Sequence, residues 1–234
     1  DCLEQGGECD ENFSSHSSRC ADTILSFKDV AFQVTQHGEK KVILEPISGR
    51  FESGRLVAIM GPSGCGKTTL LDILAGQKSA PYTGTVHFNG LPRDKLFPRI
   101  SAYVPQEDEM PKYLTVSEAV EFTGVLKFER PSLVSQKMAK QWVHRRLEVL
   151  GLSEIKDSYI GDASSLRGIS GGQKRRLSLA KRLTSGAQVF FCDEPTSGLS
   201  ATDAETCMRY MKHIAQFYNV IVVVVIHQPR VEVA

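Results

Sequence analysis

The sequence predicts an α/β fold built on buried core strands. Three apolar runs of strand length, Leu56–Met60, Val189–Cys192 and Val220–Ile226, end at a glycine, at two carboxylates and at a histidine. The first two runs are followed by glycine-containing turns, after which apolar residues continue at helical spacing. Because α/β folds place their working groups at the carboxyl ends of core strands, these strand ends are expected to belong to one site.

Composition is that of an ordinary globular protein. The chain has 234 residues, of which 41% are hydrophobic and 24% charged, and its net charge is +1. This length allows one large or two small domains with a sizeable core, and the near-neutral charge gives no indication of a nucleic-acid partner. No apolar run approaches the roughly 20 residues that cross a bilayer. Because the chain begins at Asp1 without methionine or a signal peptide, we expect a fragment or a processed form.

The N-terminal residues 1–23 differ from the rest of the chain. They carry six acidic side chains against one basic side chain, together with serines and few apolar residues. This composition predicts a disordered acidic tail. The six cysteines of the whole chain include no C-x-x-C pair, so they indicate free thiols rather than a metal site.

The next part of the chain, up to Val104, is rich in strand-forming residues. A turn at residues 36–38 separates the first two predicted strands, and an Asn-Gly turn ends a later one. The segment Gly49–Gly54 is expected to lead into the first core strand. The predicted strands are Leu25–Val34, Val42–Leu44, Leu56–Met60, Thr85–Gly90 and Ile100–Val104.

The loop after Leu56–Met60 has the spacing G-x-x-x-x-G-K-T. Its glycines carry no Cβ, so backbone N–H groups can approach phosphate oxygens closely, and the following helix, expected from Thr68, adds its positive dipole end. Lys67 is expected to reach the β- and γ-phosphates, and the Thr68 hydroxyl to coordinate Mg²⁺. The predicted nucleoside triphosphate site comprises Gly61, Pro62, Ser63, Gly64, Cys65, Gly66, Lys67, Thr68 and Thr69.

The middle of the chain is predicted to be helical. Thr115 and Glu118 have the spacing of a capping box, and apolar residues at helical spacing follow them. A second helix is expected from about 135 to 150, with Gly151 as its stop signal. Trp142 in this helix is interpreted as a core residue rather than a ligand-binding one.

A second glycine-containing segment stands directly before another predicted helix. Glycines and a polar side chain at a helix start favour an anion, because the first N–H groups point at it. The chain therefore has two helix starts that are predicted to bind phosphate. The second consists of Ser170, Gly171, Gly172 and Gln173.

Acidic and polar residues follow the remaining core strands. Asp193 suits Mg²⁺ held through a water, and Glu194 suits a base that positions the attacking water. His227 follows the last strand, where it could exchange a hydrogen bond with a γ-phosphate or could be a capped core residue. Gln106 follows the strand Ile100–Val104.

The order of these motifs resembles the ATPase domain of ABC transporters. Ile169–Gln173 is close to the L-S-G-G-Q signature of that family, and three segments, Arg167–Gly172, Asp193–Leu199 and His227–Arg230, resemble its G subfamily of White and multidrug half-transporters. The resemblance covers residues 24–234. It implies a P-loop NTPase fold with a RecA-like core, an antiparallel β subdomain and a helical subdomain at about 107–185.

The resemblance also implies how the site works. Two such domains meet head to tail around ATP and Mg²⁺, and the segment Ser170–Gln173 of each caps the γ-phosphate held by the other. Gln106 contacts Mg²⁺ and water, Glu194 activates water and His227 holds the γ-phosphate. An attached transmembrane domain then moves a small molecule or lipid, so the domain is expected on the cytoplasmic face of a membrane.

One position departs from the family pattern, and one residue of that pattern has no clear counterpart. Two other functions also stay open. Ser200 stands where the family usually has Asp, and the aromatic residue that stacks on adenine is unclear, with Phe32 or the aliphatic Val34 near the right place. The chain also stops before any membrane span. The alternatives are a soluble ABC-type ATPase that acts on ribosomes or nucleic acid, and a regulatory ATP-binding domain with weak hydrolysis.

Overall fold

The computed structural model describes residues 22–36, 39–106, 109–127, 136–162, 167–183 and 186–226. Residues 1–21 of the predicted tail (1–23) and His227 lie outside these residues. The described strands are β1 Ile24–Gln36, β2 Glu39–Glu52, β3 Leu56–Met60, β4 Thr83–Phe88, β5 Leu91–Pro92, β6 Ser101–Val104, β7 Val189–Asp193 and β8 Ile221–Ile226. The described helices are α1 Lys67–Ala75, α2 Phe97–Ile100, α3 Val116–Lys127, α4 Gln136–Val149, α5 Gly171–Leu183 and α6 Ala201–Tyr218, with a 3-10 turn at Ser153–Ile155.

A parallel sheet in the order β3-β8-β7-β6 carries the core strands. Strands β7 and β8 are buried on both faces, which explains why they read as continuous apolar runs. Side chains of one face pack toward helices α3 to α6, and those of the other face pack toward α1 and the second sheet. The α/β fold class is confirmed.

The second sheet is antiparallel, in the order β2-β1-β4-β5. The prediction for β2 was wrong in length, because Val42–Leu44 is only part of a 14-residue strand that extends through Gly49. Pairing with the 13-residue strand β1 keeps this segment extended despite its proline and glycine, and register shifts absorb the irregularity. A Cβ at Gly49 would lie 2.6 Å from the ring of Phe27, so glycine is needed at this crossing.

Helices α5 and α6 pack on one face of the parallel sheet, and α3 and α4 pack on each other and on α5. The expected capping box starts α3: the Thr115 N–H donates to Glu118 Oε2 at 2.8 Å, and the Glu118 N–H donates to Thr115 Oγ1 at 3.3 Å. Trp142 of α4 packs against the core beside Gly124 of α3, where a Cβ would lie only 2.4 Å from its ring. Trp142 is therefore a packing residue, as interpreted from the sequence.

Several element boundaries differ from those predicted. Helix α1 begins at Lys67 rather than Thr68, and the helical turn α2 was not predicted, because four residues containing a proline give no periodic signal. Thr23, which composition assigned to the tail, is 3% exposed and pairs with Ser53 through its backbone. Among the described residues, no helix is long and apolar enough to span a bilayer.

Candidate nucleotide-binding site

The carboxyl ends of the parallel strands bring distant segments of the sequence together. Strand β3 leads into the loop at Gly61, β6 leads to Gln106, and β7 ends at Asp193. Strand β8 pairs with β3 and β7 in the same direction and ends at Ile226, directly before His227. The strand ends at Gly61, Gln106 and Asp193, which the structure describes, therefore lie at one edge of one sheet, where α/β folds bind ligands.

The phosphate loop has a backbone that requires glycine. Gly64 and Gly66 have φ values of +81° and +89°, in the region that L side chains rarely adopt. A Cβ on Gly66 would also lie 2.6 Å from the Ile43 carbonyl oxygen. Gly66 is the N-cap of α1 and has no side-chain oxygen for the first amide groups of that helix. The helix start is thus built to accept an external anion as its cap.

Lys67 is a buried cation in this loop. Its residue is 5% exposed, and Nζ donates to the carbonyl oxygens of Gly61 at 2.9 Å and Pro62 at 2.7 Å. No Asp or Glu pairs with it in the part of the chain that the structure describes. A buried positive charge held by neutral carbonyls is suited to a negatively charged ligand, because such a ligand would compensate the lost solvation.

Thr68 and Asp193 form an oxygen pair beside the loop. Thr68 Oγ1 donates to Asp193 Oδ1 at 3.2 Å, although 125 residues separate them in sequence. Burial raises the pKa of the Asp193 carboxyl above its ordinary value, and the hydrogen bond from Thr68 opposes that shift. Hydroxyl and carboxylate oxygens suit Mg²⁺, which commonly takes only one or two protein ligands and completes its shell with phosphate and water. Among the described residues, no group of three or more His, Cys, Asp or Glu side chains could hold a metal ion.

Gln106 and Glu194 form a second pair. Gln106 Nε2 donates to Glu194 Oε2 at 2.9 Å and to Ser197 Oγ at 3.3 Å. Glu194 has a φ of +44°, which is unusual for a residue with a side chain. Strained backbone of this kind persists at sites that the surrounding structure fixes, and it occurs often in active sites.

The second predicted anion site is a helix start that, unlike the start of α1, has a side-chain cap. The Ser170 N–H donates to Gln173 Oε1 at 2.7 Å, and the Gln173 N–H donates to Ser170 Oγ at 3.2 Å. This is a capping box, which the sequence reasoning did not recognise in the Ser-x-x-Gln spacing. Ser170 and Gly171 are exposed, and the hydroxyl of Ser170 keeps its own hydrogen to donate to a ligand.

Ser200 has a structural role at the position where an Asp was expected from the family pattern. It is the N-cap of α6: its Oγ accepts from the Asp203 N–H at 3.1 Å and donates to Asp203 Oδ2 at 3.0 Å. A Cβ on Gly172 would lie 2.5 Å from Asp203 Oδ1. The start of α5 therefore touches the start of α6 through a glycine and a carboxylate.

Sequence reasoning missed two residues that support the site. Tyr103 of β6 donates through its hydroxyl to Asp72 Oδ1 at 2.8 Å, and burial followed by this hydrogen bond raises the pKa of the phenol, which therefore remains a donor. Arg175 of α5 is 8% exposed and donates to backbone carbonyls beside Gln106 and Glu194. Neither stands in a motif. For Arg175, the one signal in the sequence was its position as a charged residue on the apolar side of the predicted helix.

The structure narrows the choice of an adenine-stacking residue. Phe32 is 6% exposed and belongs to the core under the antiparallel sheet. Its ring is packed inside, with Lys78 Nζ 4.8 Å from the centroid, so it offers no free face for a base. Val34 is half-buried against the same core.

Cys65 provides a chemical test of the phosphate loop. It is exposed, and its Sγ lies 3.9 Å from Lys67 Nζ. Burial raises the pKa of the Cys192 thiol to about 12 and that of the Cys207 thiol to about 11, so both remain protonated and unreactive at neutral pH. With the cysteines of residues 1–21 replaced by serine, we expect a bulky maleimide to label Cys65 alone.

ATP is expected to slow this labelling, because phosphate and the reagent occupy the same loop. Mass spectrometry after timed labelling with and without ATP measures the protection, and Cys65→Ser gives the background. Equal labelling rates at saturating ATP would contradict the assignment of the loop.

Comparisons with known proteins agree with this geometry. A family model described as ABC transporter matches residues 44–197. ABC transporter G family member 22 of Dictyostelium discoideum is 41% identical over 214 residues, which is 89% of this chain and 34% of that protein. A probable ATP-dependent permease of Saccharomyces cerevisiae is 41% identical over 216 residues, covering 89% of this chain and 20% of the permease. ABC transporter G family member 7 of Arabidopsis thaliana is 38% identical over 233 residues, covering 95% of this chain and 31% of that protein. The chain spans between a fifth and about a third of the length of these relatives.

Proposed function

The chain belongs to the ABC transporter family, and we propose that it binds and hydrolyses ATP with Mg²⁺ to power transport across a membrane. Within that family it belongs to the nucleotide-binding domains of the G subfamily, and these domains are ATPases. The observation that carries the proposal is the meeting of two polar pairs beside the phosphate loop. Thr68 lies against Asp193, and Gln106 lies against Glu194. One pair suits the metal of a nucleotide complex, and the other suits the attacking water.

The residues divide the chemistry among them. The loop from Gly61 to Thr69 binds the phosphates through backbone N–H groups, and Lys67 contributes positive charge that offsets the charge on the phosphates as water bonds to the γ-phosphorus and ADP leaves. Mg²⁺, when bound by Thr68 and Asp193 with Gln106 in reach, offsets phosphate charge. Glu194 accepts a proton from water, and Gln106 orients its carboxylate. His227 is proposed, from the family pattern alone, to hold the γ-phosphate.

A second ATPase domain, a copy of this one or a homologue, is the proposed partner. Ser170 and Gly171 are exposed at the start of α5, so they can contact a ligand bound to another molecule. Head-to-tail association would bring Ser170, Gly171, Gly172 and Gln173 to the γ-phosphate on the partner. ATP then favours the closed pair because it supplies contacts absent from the open one, and hydrolysis removes them.

The membrane and the substrate are also part of the proposal. The relatives are named as G family transporters and a permease, which favours the transporter over a soluble ABC protein or a regulatory domain. We therefore place the domain on the cytoplasmic face of a membrane, joined to a transmembrane domain that moves a small molecule or lipid.

Ser170→Arg tests the shared site. An arginine at this exposed position is expected to block ATP-dependent pairing of domains while ATP affinity at the phosphate loop changes less than about threefold, because that loop belongs to the other wall of the site. The measurement is light scattering of the Glu194→Gln protein, with and without ATP, beside nucleotide titration.

Ser158→Arg is the matched control, since Ser158 is exposed on the helical side and lies outside the site. It should pair like the parent protein. Undiminished pairing of Ser170→Arg would refute the head-to-tail arrangement, and loss of ATP binding in the same variant would place Ser170 in its own phosphate site instead.

A further inference from the structure

Arg175 joins the two loops that carry Gln106 and Glu194. Its Nη1 donates to the carbonyl oxygens of Pro105 at 2.6 Å and Gln106 at 3.2 Å. Its Nη2 donates to Asp193 O at 2.9 Å, and its Nε donates to Pro195 O at 3.1 Å. One guanidinium therefore makes four hydrogen bonds to backbone on two different strand ends.

Burying this charge requires a specific compensation. Arg175 is 8% exposed, and within the described residues no Asp or Glu forms an ion pair with it. The cost of desolvation is met by charge-assisted hydrogen bonds to carbonyls. A hydrophobic residue would fill the space at less cost, so the arginine is better explained by the geometry that it imposes.

That geometry centres on Glu194. The carbonyls of Asp193 and Pro195 stand on either side of it, and Arg175 donates to both. Glu194 itself has a φ of +44°, a conformation that persists only where neighbouring contacts hold it. The direction of its carboxylate depends on that conformation, and so does its hydrogen bond with Gln106.

We propose that Arg175 is a positioning residue that holds Glu194 in its left-handed backbone conformation and fixes the distance between Glu194 and Gln106. The inference rests on the proposed function, in which Glu194 accepts a proton from water. Arg175 itself touches neither nucleotide nor water in this role.

The position of Arg175 on α5 gives the role a second consequence. Ser170, proposed to contact the ATP of the partner, caps the same helix five residues earlier, about one and a half turns away. Helix α5 therefore carries the contact to one ATP and the clamp on the carboxylate that serves the other. A shift of α5 when two domains pair would therefore move the carbonyls of Asp193 and Pro195, to which Arg175 donates, and with them the backbone of Glu194.

Arg175→Lys separates positioning from packing. Lysine keeps the charge and most of the length, but its single ammonium cannot donate along the planar fork that reaches four carbonyls. In the full-length protein we expect kcat for ATP hydrolysis to fall at least about tenfold, while KM and the dissociation constant for ATP stay within about twofold. A folded Arg175→Met protein should likewise show a lower kcat with little change in KM or in the dissociation constant for ATP.

Arg176→Met is the matched control. Arg176 is the next residue of α5, and its guanidinium lies 5.3 Å from the centroid of the Tyr210 ring, away from the Gln106 and Glu194 loops. This variant also loses a partly buried cation but should retain kcat within about twofold. An equal loss of kcat in Arg175→Lys and Arg176→Met would mean that the stability of α5, not the positioning of Glu194, is responsible.

A double variant gives the second readout. If Arg175 acts through Glu194, then Arg175→Lys should add no further loss of kcat in the Glu194→Gln background, because residues acting as one unit are not additive. Fully additive losses, or an unchanged kcat in Arg175→Lys alone, would overturn the inference. The proposed function is judged separately: it stands if wild type hydrolyses ATP and Glu194→Gln does so at least about 100-fold more slowly, whatever Arg175→Lys does.

Discussion

Glu194→Gln is expected to lower the ATP hydrolysis rate by about 100- to 10,000-fold, the range found when a general base is removed. The amide keeps the size of the side chain and can still pair with Gln106, but it cannot accept a proton from water at neutral pH. ATP binding should therefore survive. We expect the variant to retain ATP and to accumulate the paired form, because the step that removes the γ-phosphate contacts is blocked.

Phosphate release and nucleotide retention measured on the same protein check this result. Glu205→Gln is the matched control: Glu205 is half-exposed on α6 and pairs with Arg209 at 2.6 Å, in an i,i+4 arrangement that contributes little. It should hydrolyse ATP like wild type. A Glu194→Gln protein with wild-type turnover would remove Glu194 from the chemistry.

Lys67→Ala should abolish ATP-driven turnover, with a loss of at least about 100-fold. The side chain is buried inside the phosphate loop, where its partners among the described residues are the carbonyls of Gly61 and Pro62 and the nearby Cys65 thiol. Its removal takes away the positive charge that faces the phosphates. It also leaves two carbonyl oxygens pointing into the loop, where they repel an anion.

Unlike Glu194→Gln, this variant should bind ATP more weakly, so nucleotide titration separates the two effects. Lys156→Ala, at an exposed position outside the site, is the control. Thermal unfolding of both variants shows whether the loop still folds. Unchanged hydrolysis by a folded Lys67→Ala protein would refute the site.

Much of the site could be predicted because its chemistry depends on local sequence. A loop that accepts phosphate needs glycines at Gly64 and Gly66, a lysine directly afterwards and a helix start, and these are neighbours in the chain. The core strands were recognisable for a similar reason, since strands buried on both faces are continuously apolar. The predictions of residue roles remain to be tested by the variants described above.

Other features were beyond sequence reasoning because they arise between distant segments. The full length of β2 follows from pairing with β1, which overrides the turn propensity of a proline and a glycine. The burial of Phe32 follows from which face of β1 meets the core. Strand pairing decided the first feature, and packing of the sheet against the core decided the second.

The sequence by itself determined the fold class, the phosphate loop, the order of the strand-end residues and the family, because these depend on short local motifs and on the order of those motifs along the chain. Tertiary structure alone decided that Gln106 meets Glu194 across 88 positions and Thr68 meets Asp193 across 125. It alone also placed Arg175 between them and turned Glu194 to a left-handed φ. The physical reason is that parallel strands align their carboxyl ends whatever their separation in the chain, and a buried guanidinium then binds whichever carbonyls that alignment presents.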